Sequence, residues 1–478
     1  MRSARSLIAA LVVAGLMTMS ACADDGSAVA VAVADPGLVW GACPGEDNPP
    51  GMQCAAIDVP VSWAQPAGRT ITLELARLPG TDPSGRIGTV FAIPGGPGSP
   101  GIGELKHVAG TFTALRERFD VVTFDPRNVI GALAPGCYQP GPVQIPPRTA
   151  DEYEAQAAQN QALMQQCRAG DPERFDHLDS ASVARDIDAV RAAMGEPQLS
   201  LIGSSYGGVP AVAYARLFPD RVRAVFLDGV PDHTADRAAA DRLHYQQVEQ
   251  RFARFADWCA TTADCALHGE DVPAVWQSLV AAADRSPIPV PGKGPEAALA
   301  GFDLKFNSMA LRDTPQQFAT AIDLARNGDG SGFAVMPKQP MFPGGAAVHC
   351  HDGWGYANYD DYAQAQERAV AWSPNFSGLT HFLRLDCSGW PTPPVNPPAP
   401  LSGADLPPLL GAGSPDETPT MDVLVAAVPG SSVIHYAGPG HVLYQSGSRC
   451  VIDHADRYLT ELTVPPVGTG CPADVPDR

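Results

Sequence analysis

Apolar and polar residues alternate along "TITLELARL" (70–78), and "CAAIDVPVSW" (54–63) is similarly β-rich; the turn "AQPAGR" separates them. "GTVFAI" (88–93) loses the alternation and reads as a buried strand, followed by a glycine loop and a helix through Arg118. Further strands are expected at "DVVTFD" (120–125), "LSLIG" (199–203) and "VRAVFLDG" (222–229). Helices are expected at "SVARDIDAVRAAMG" (182–195), stopped by Gly195, and "GGVPAVAYARLFP" (207–219). Strand–helix alternation of this kind predicts an α/β fold with a mostly parallel sheet flanked by helices.

The alternation disappears between residues 233 and 400. That stretch is helical at first, then rich in Pro, Gly and aromatics, and ends in "PTPPVNPPAP". The pattern resumes with a strand in "LPPLLGAG", a helix from Thr420, a strand in "SSVIHYAG" and a last helix after Ser448. The expected organisation is a core formed by residues 37–232 and 401–478, interrupted by a largely helical cap insertion at 233–400. The chain has 478 residues, 45% of them hydrophobic, enough for a sizeable core. Its net charge of −20 argues against nucleic acid or an anionic membrane surface as a partner.

The N-terminus reads as a secretory signal (1–22). Arg2 and Arg5 precede an apolar run from Leu7 to Met17, too short to span a bilayer comfortably. "MSAC" resembles a lipoprotein cleavage box with Cys22 as the lipidated residue, and residues 23–36 form a flexible tether. In an exported chain, the other ten cysteines favour disulfides over metal. Their order suggests neighbouring pairs: Cys43–Cys54, Cys137–Cys167, Cys259–Cys265, Cys350–Cys387 and Cys450–Cys471. Order alone leaves other connectivities open.

Candidate chemistry centres on "Gly203-Ser204-Ser205-Tyr206-Gly207", a G-x-S-x-G pattern between an expected strand and an expected helix. A serine hydroxyl is a poor nucleophile unless a base, a carboxylate that orients the base, and oxyanion donors surround it. The glycines permit a turn that presents Ser205 at its apex; Ser204 lacks their symmetric flanks. His441 in "AGPGHVLY" is the expected base, with His435 its rival inside the preceding strand. Asp416 in "LLGAGSPDETP" is the expected carboxylate and Asp228, ending a strand, the runner-up. The backbone N–H groups of Gly96, in "IPGGPGSPG", and Tyr206 are the expected oxyanion donors. The order Ser205…Asp416…His441 is the one found on an α/β-hydrolase sheet.

Taken with "PGGPGSPG", "FDPR", "GSSYGG", "LDGV", "SPDETP", "GPGH" and the cysteine-framed tail from Cys450 to Cys471, the chain resembles a known family. It is the exported tripeptidyl and prolyl aminopeptidase branch of the α/β-hydrolases. "VHCHDGWG" and "LDCSGWP" in the insertion add to the likeness. The resemblance implies release of short peptides from a substrate with a free N-terminus, without metal or cofactor, and an acidic residue for the substrate ammonium. Glu104, Asp352 and Asp386 are candidates for that residue. The chain departs from the family pattern in three places. "DPRNVIGALAP" lacks the usual glycines, Pro94 replaces a common histidine, and "SPDETP" is one residue short between the aspartate and Thr-Pro.

Rival readings are weaker. "Gly96-Pro-Gly98-Ser-Pro-Gly101" matches a dinucleotide fingerprint, with Asp125 as the ribose acid, but Pro97 and Pro100 remove backbone donors that a pyrophosphate would use. "His349-Cys350-His351-Asp352" resembles a metal cluster in which two histidines share a strand face, yet Cys350 is expected in a disulfide. A carboxylic ester hydrolase on the same fold is the main alternative function, and a silent peptide-binding lipoprotein a lesser one. Oligomeric state is not legible.

Overall fold

A computed structural model describes residues 37–475 apart from residues 142, 144, 312–313, 337–340 and 380–383. The signal segment, Cys22 and the tether lie outside the described residues. Among the described residues ten strands form one sheet: β1 (Gly41–Ala42), β2 (Gln53–Pro60), β3 (Thr70–Leu78), β4 (Gly88–Ile93), β5 (Phe119–Phe124), β6 (Leu199–Ser204), β7 (Val222–Asp228), β8 (Leu410–Gly413), β9 (Ser432–Tyr436) and β10 (Gly470–Cys471). Their order is β1-β2-β3-β5-β4-β6-β7-β8-β9-β10. β2 and β3 form an antiparallel pair and β3 meets β5 antiparallel; from β5 to β10 every pairing is parallel. This is the α/β-hydrolase fold.

The parallel strands need helices on both faces, and they have them. On one face the helices Ser180–Ala193, Gly208–Leu217 and Thr418–Val425 bury Val183, Ile187, Val212 and Leu424 against Phe91, Leu201 and Val225. On the other, the helices Gly101–Val108 and Arg449–Glu461 bury Leu105, Ile452 and Leu459 against Val90, Ile202 and Phe226. Each such side chain contributes about 1.5–3 kcal/mol on leaving water. Gly195 follows its helix at φ 71°, the left-handed conformation that stops a helix at little cost for glycine. The helix expected through Arg118 is shorter: it ends at Val108 and gives way to two 3₁₀ turns, Ala109–Phe112 and Leu115–Glu117.

Between β7 and β8 the chain forms a series of helices that includes Arg237–Thr261, Val272–Arg285, Pro315–Arg326 and Tyr359–Trp372. They have their own apolar cluster around Trp276, Phe252, Phe255, Phe318 and Phe376. The ten cysteines lie at bonding distance in the five neighbouring pairs. Among the described residues no helix is long and apolar enough to cross a membrane.

Candidate active site

β6 ends at Ser204, and the chain turns so sharply into the next helix that Ser205 takes φ 52°. A non-glycine residue there is strained by about 1–3 kcal/mol. The turn is held by close backbone approach: a Cβ on Gly207 would stand 2.3 Å from the Ile93 carbonyl oxygen, and one on Gly95 2.9 Å from the Ser205 Cβ. Ser204, by contrast, is buried, and its hydroxyl accepts from Gln445 Nε2 at 3.2 Å.

Beyond β9, Gly440 and the left-handed Val442 (φ 54°) frame His441, whose Nε2 lies 2.8 Å from Ser205 Oγ. Its Nδ1 faces Glu417 Oε1 at 2.5 Å. The other oxygen of Glu417 accepts from the backbone N–H and hydroxyl of Ser414, both at 3.0 Å, so the carboxylate is fixed at both ends. This corrects the assignment of Asp416. The turn from β8 into the helix Thr418–Val425 is so tight that a Cβ on Gly413 would meet the Thr418 nitrogen at 2.9 Å. Successive side chains leave it in different directions. Asp416 is carried away from the imidazole and forms an ion pair with Arg251, while the longer Glu417 reaches His441.

Asp228 does not touch the imidazole either. Buried at the end of β7, it accepts from the backbone N–H groups of Leu443 (3.0 Å) and Tyr444 (2.8 Å), and so anchors the loop that carries His441. The next residue, Gly229 (φ 61°), passes so near the pair that a Cβ there would lie 2.9 Å from His441 Nδ1 and 3.0 Å from Glu417 Oε1. His435 faces Asp422 at 3.2 Å on the strand, apart from the serine.

Ser205, His441, Glu417, Gly96 and Tyr206 line one cavity of about 530 Å³, within the size range of small-molecule sites. Gly96 takes φ 108°, open only to glycine without strain, and lines the same cavity as the serine. Tyr206 is held from behind: its hydroxyl donates to Asp352 at 2.8 Å and accepts from Trp354 Nε1 at 3.1 Å. Asp352 also accepts from Ser180 and Asn396. Of the three residues suggested for the ammonium, none lines the cavity: Glu104 is half-buried beside Leu105, and Asp352 and Asp386 are buried elsewhere. Among the described residues the carboxylates that do line it, besides Glu417, are Asp232, Asp241 and Asp416; Asp241 is paired with Arg384. His244 and His349 also line it, and burial pushes both down to about 4.

The His349–Asp352 stretch is helical rather than extended, within and just after Pro343–His351. Its two histidines therefore diverge. His349 packs edge-on against Tyr206, His351 contacts the Phe175 carbonyl, and Cys350 is bonded to Cys387.

Buried acids away from the imidazole make stability depend on pH. Burial raises Asp228 to about 7 and Asp386 to about 8. An unfolded aspartate titrates near 3.9, so across that interval the native chain holds protons the unfolded chain has released, and stability falls as pH rises. Buried histidines act in the opposite sense, but only below about 6.5. Tm is therefore expected to fall between about pH 6.5 and 8.5, and Asp386→Asn to flatten that fall. Calorimetry giving a flat or rising Tm over this window would contradict the account.

Comparison with known proteins agrees with this architecture. Residues 88–317 match the family described as alpha/beta hydrolase fold, and residues 374–471 match TAP-like protein. The chain is 28% identical to serine protease Hip1 of Mycobacterium tuberculosis over 461 residues, covering 88% of each chain. It is 28% identical to tripeptidyl aminopeptidase of Streptomyces lividans, over 91% of this chain and 86% of that one. Carboxylesterase B of Mycobacterium tuberculosis is 26% identical, with 88% and 86% covered.

Proposed function

The chain belongs to the α/β-hydrolase family, and on that premise we propose that it is an exported serine hydrolase that removes short peptides from substrates with a free N-terminus. The observation that carries this reading is the unbroken series Ser205 Oγ, His441 Nε2, His441 Nδ1 and Glu417 Oε1 at the wall of a substrate-sized cavity. In the proposed reaction Ser205 attacks the scissile carbonyl while His441 takes its proton; the Gly96 and Tyr206 N–H groups receive the oxyanion; His441 then protonates the leaving nitrogen. Glu417 keeps the imidazole in the tautomer with Nδ1–H and stabilises it when charged. Water completes the cycle by the same steps on the acyl-enzyme.

The preference for peptides draws on the likeness to the serine protease and the tripeptidyl aminopeptidase. Asp232, on the cavity wall and outside the Arg384–Asp241 and Arg251–Asp416 ion pairs, is the carboxylate suited to the substrate ammonium. Export draws on the signal-like N-terminus and the five disulfides, which persist in oxidising compartments. The proposed organisation is a catalytic core from residues 37–232 and 401–478 with a cap at 233–400 restricting access, and Cys22 as a lipid anchor.

A carboxylic ester hydrolase is the second reading, favoured by the likeness to carboxylesterase B, because the same constellation cleaves esters. The two are separated by assaying peptide amides with free and with blocked N-termini beside short-chain esters. Free tripeptidyl amides are expected to be cleaved at least about tenfold faster, in kcat/KM, than their blocked counterparts. Cleavage of esters alone would replace the peptidase reading with the esterase one, and cleavage of blocked peptides with free N-termini ignored would overturn the requirement for a free N-terminus.

A further inference from the structure

A second cavity, of about 350 Å³, adjoins the first. The two share Val248, Arg251 and Asp416 in their walls, so the Arg251–Asp416 ion pair stands between them. The helix Arg237–Thr261 walls both. Asp241, His244, Gln247 and Val248 face the first cavity; three and four residues further on, Phe252, Phe255 and Trp258 face the second. Phe318 closes the aromatic surface, its ring 4.6 Å from that of Phe255.

The position of this cavity relative to the relay says which part of a substrate would enter it. A base that takes the serine proton returns it to the leaving group, so the leaving group departs on the imidazole side. The second cavity is framed on that side, by Gly440 next to His441 and Asp416 next to Glu417. We infer that it is the subsite for the first residue of the leaving group, and that it takes an apolar, preferably aromatic, side chain. Among the described residues its charged lining is the Arg251–Asp416 pair and the exposed Arg254, a balance that disfavours a basic side chain. The inference rests on the serine-hydrolase reading but not on peptides being the natural substrate.

Aminolysis of the acyl-enzyme tests it. After p-nitrophenyl acetate has acetylated Ser205, an added amine is expected to use the leaving-group subsite in reverse. Its nitrogen attacks the acyl carbonyl, the C–O bond to Ser205 breaks, and the amine proton passes through His441 to the serine oxygen, leaving an acetylated amine. The readout is the ratio of acetylated amine to acetate, formed from one intermediate, so a general change in activity cancels. L-Phenylalaninamide is expected to give a ratio about tenfold or more above glycinamide, and L-argininamide no more than glycinamide. Trp258→Ala is expected to remove most of the phenylalaninamide preference. Arg254→Glu, at an exposed position, is expected to raise the argininamide ratio several-fold. Equal ratios for phenylalaninamide and glycinamide, or a preference intact in Trp258→Ala with no response to Arg254→Glu, would overturn the subsite. No turnover of either the ester or any peptide amide would overturn the hydrolase reading, and the subsite with it.

Discussion

Ser205→Ala is expected to lower kcat by about 10⁶-fold, while Ser204→Ala stays within about tenfold of the parent. Only Ser205 stands at the strained apex with its hydroxyl 2.8 Å from His441 Nε2. The Ser204 hydroxyl is buried at the end of β6 and engaged with Gln445, so it has no route to the imidazole while the turn holds. Loss of the Ser205 hydroxyl removes the nucleophile that the base activates, and what remains is the acceleration from the oxyanion donors and binding, about 10³–10⁴ over water. Initial rates with the best substrate of the parent enzyme measure both variants. Comparable losses at the two positions would mean that the turn, rather than one hydroxyl, is what matters.

The second large effect is expected at Glu417. Glu417→Gln preserves length and shape but removes the charge that stabilises the imidazolium, and it can present an N–H where His441 Nδ1–H needs an acceptor. A fall of about 10³–10⁴-fold in kcat follows, with KM little altered. Asp416→Asn should cost less than about tenfold, because that carboxylate serves Arg251 at the boundary between the two cavities. Steady-state kinetics on both variants decide the matter: a large loss at Asp416 with Glu417→Gln nearly active would restore the aspartate to the relay.

The neighbouring acids show where the sequence was legible and where it was not. Strand–helix alternation, the G-x-S-x-G turn and the glycine-rich histidine loop each rest on local rules, and the fold, Ser205 and His441 emerge from them directly. Which of two adjacent carboxylates faces the imidazole depends instead on how the Gly413–Thr418 turn aims its side chains. That direction is set by tertiary packing against Gly229 and Arg251, which no local pattern encodes. One signal was present. "SPDETP" departs from the family spacing and sets a second acid, Glu417, beside the aspartate, so both acids were open to the role that Glu417 takes. The failure to place an ammonium-binding acid has the same origin. Asp232 and Asp241 reach the cavity from the chain that follows β7, whereas Asp352 supports Tyr206. The 349–352 stretch went wrong for a local reason: Gly344, Ala346 and Ala347 allow a buried helix where alternating histidines suggested a strand.

The central claim is that one hydroxyl in this chain is activated by the His441–Glu417 pair, and covalent trapping tests it most directly. After reaction with a fluorophosphonate, peptide mapping by mass spectrometry is predicted to find a single adduct, on Ser205, formed quickly in the parent and slowly in Glu417→Gln. An adduct on Ser204 or on another residue, or a Ser205 adduct whose rate of formation ignores Glu417, would contradict it.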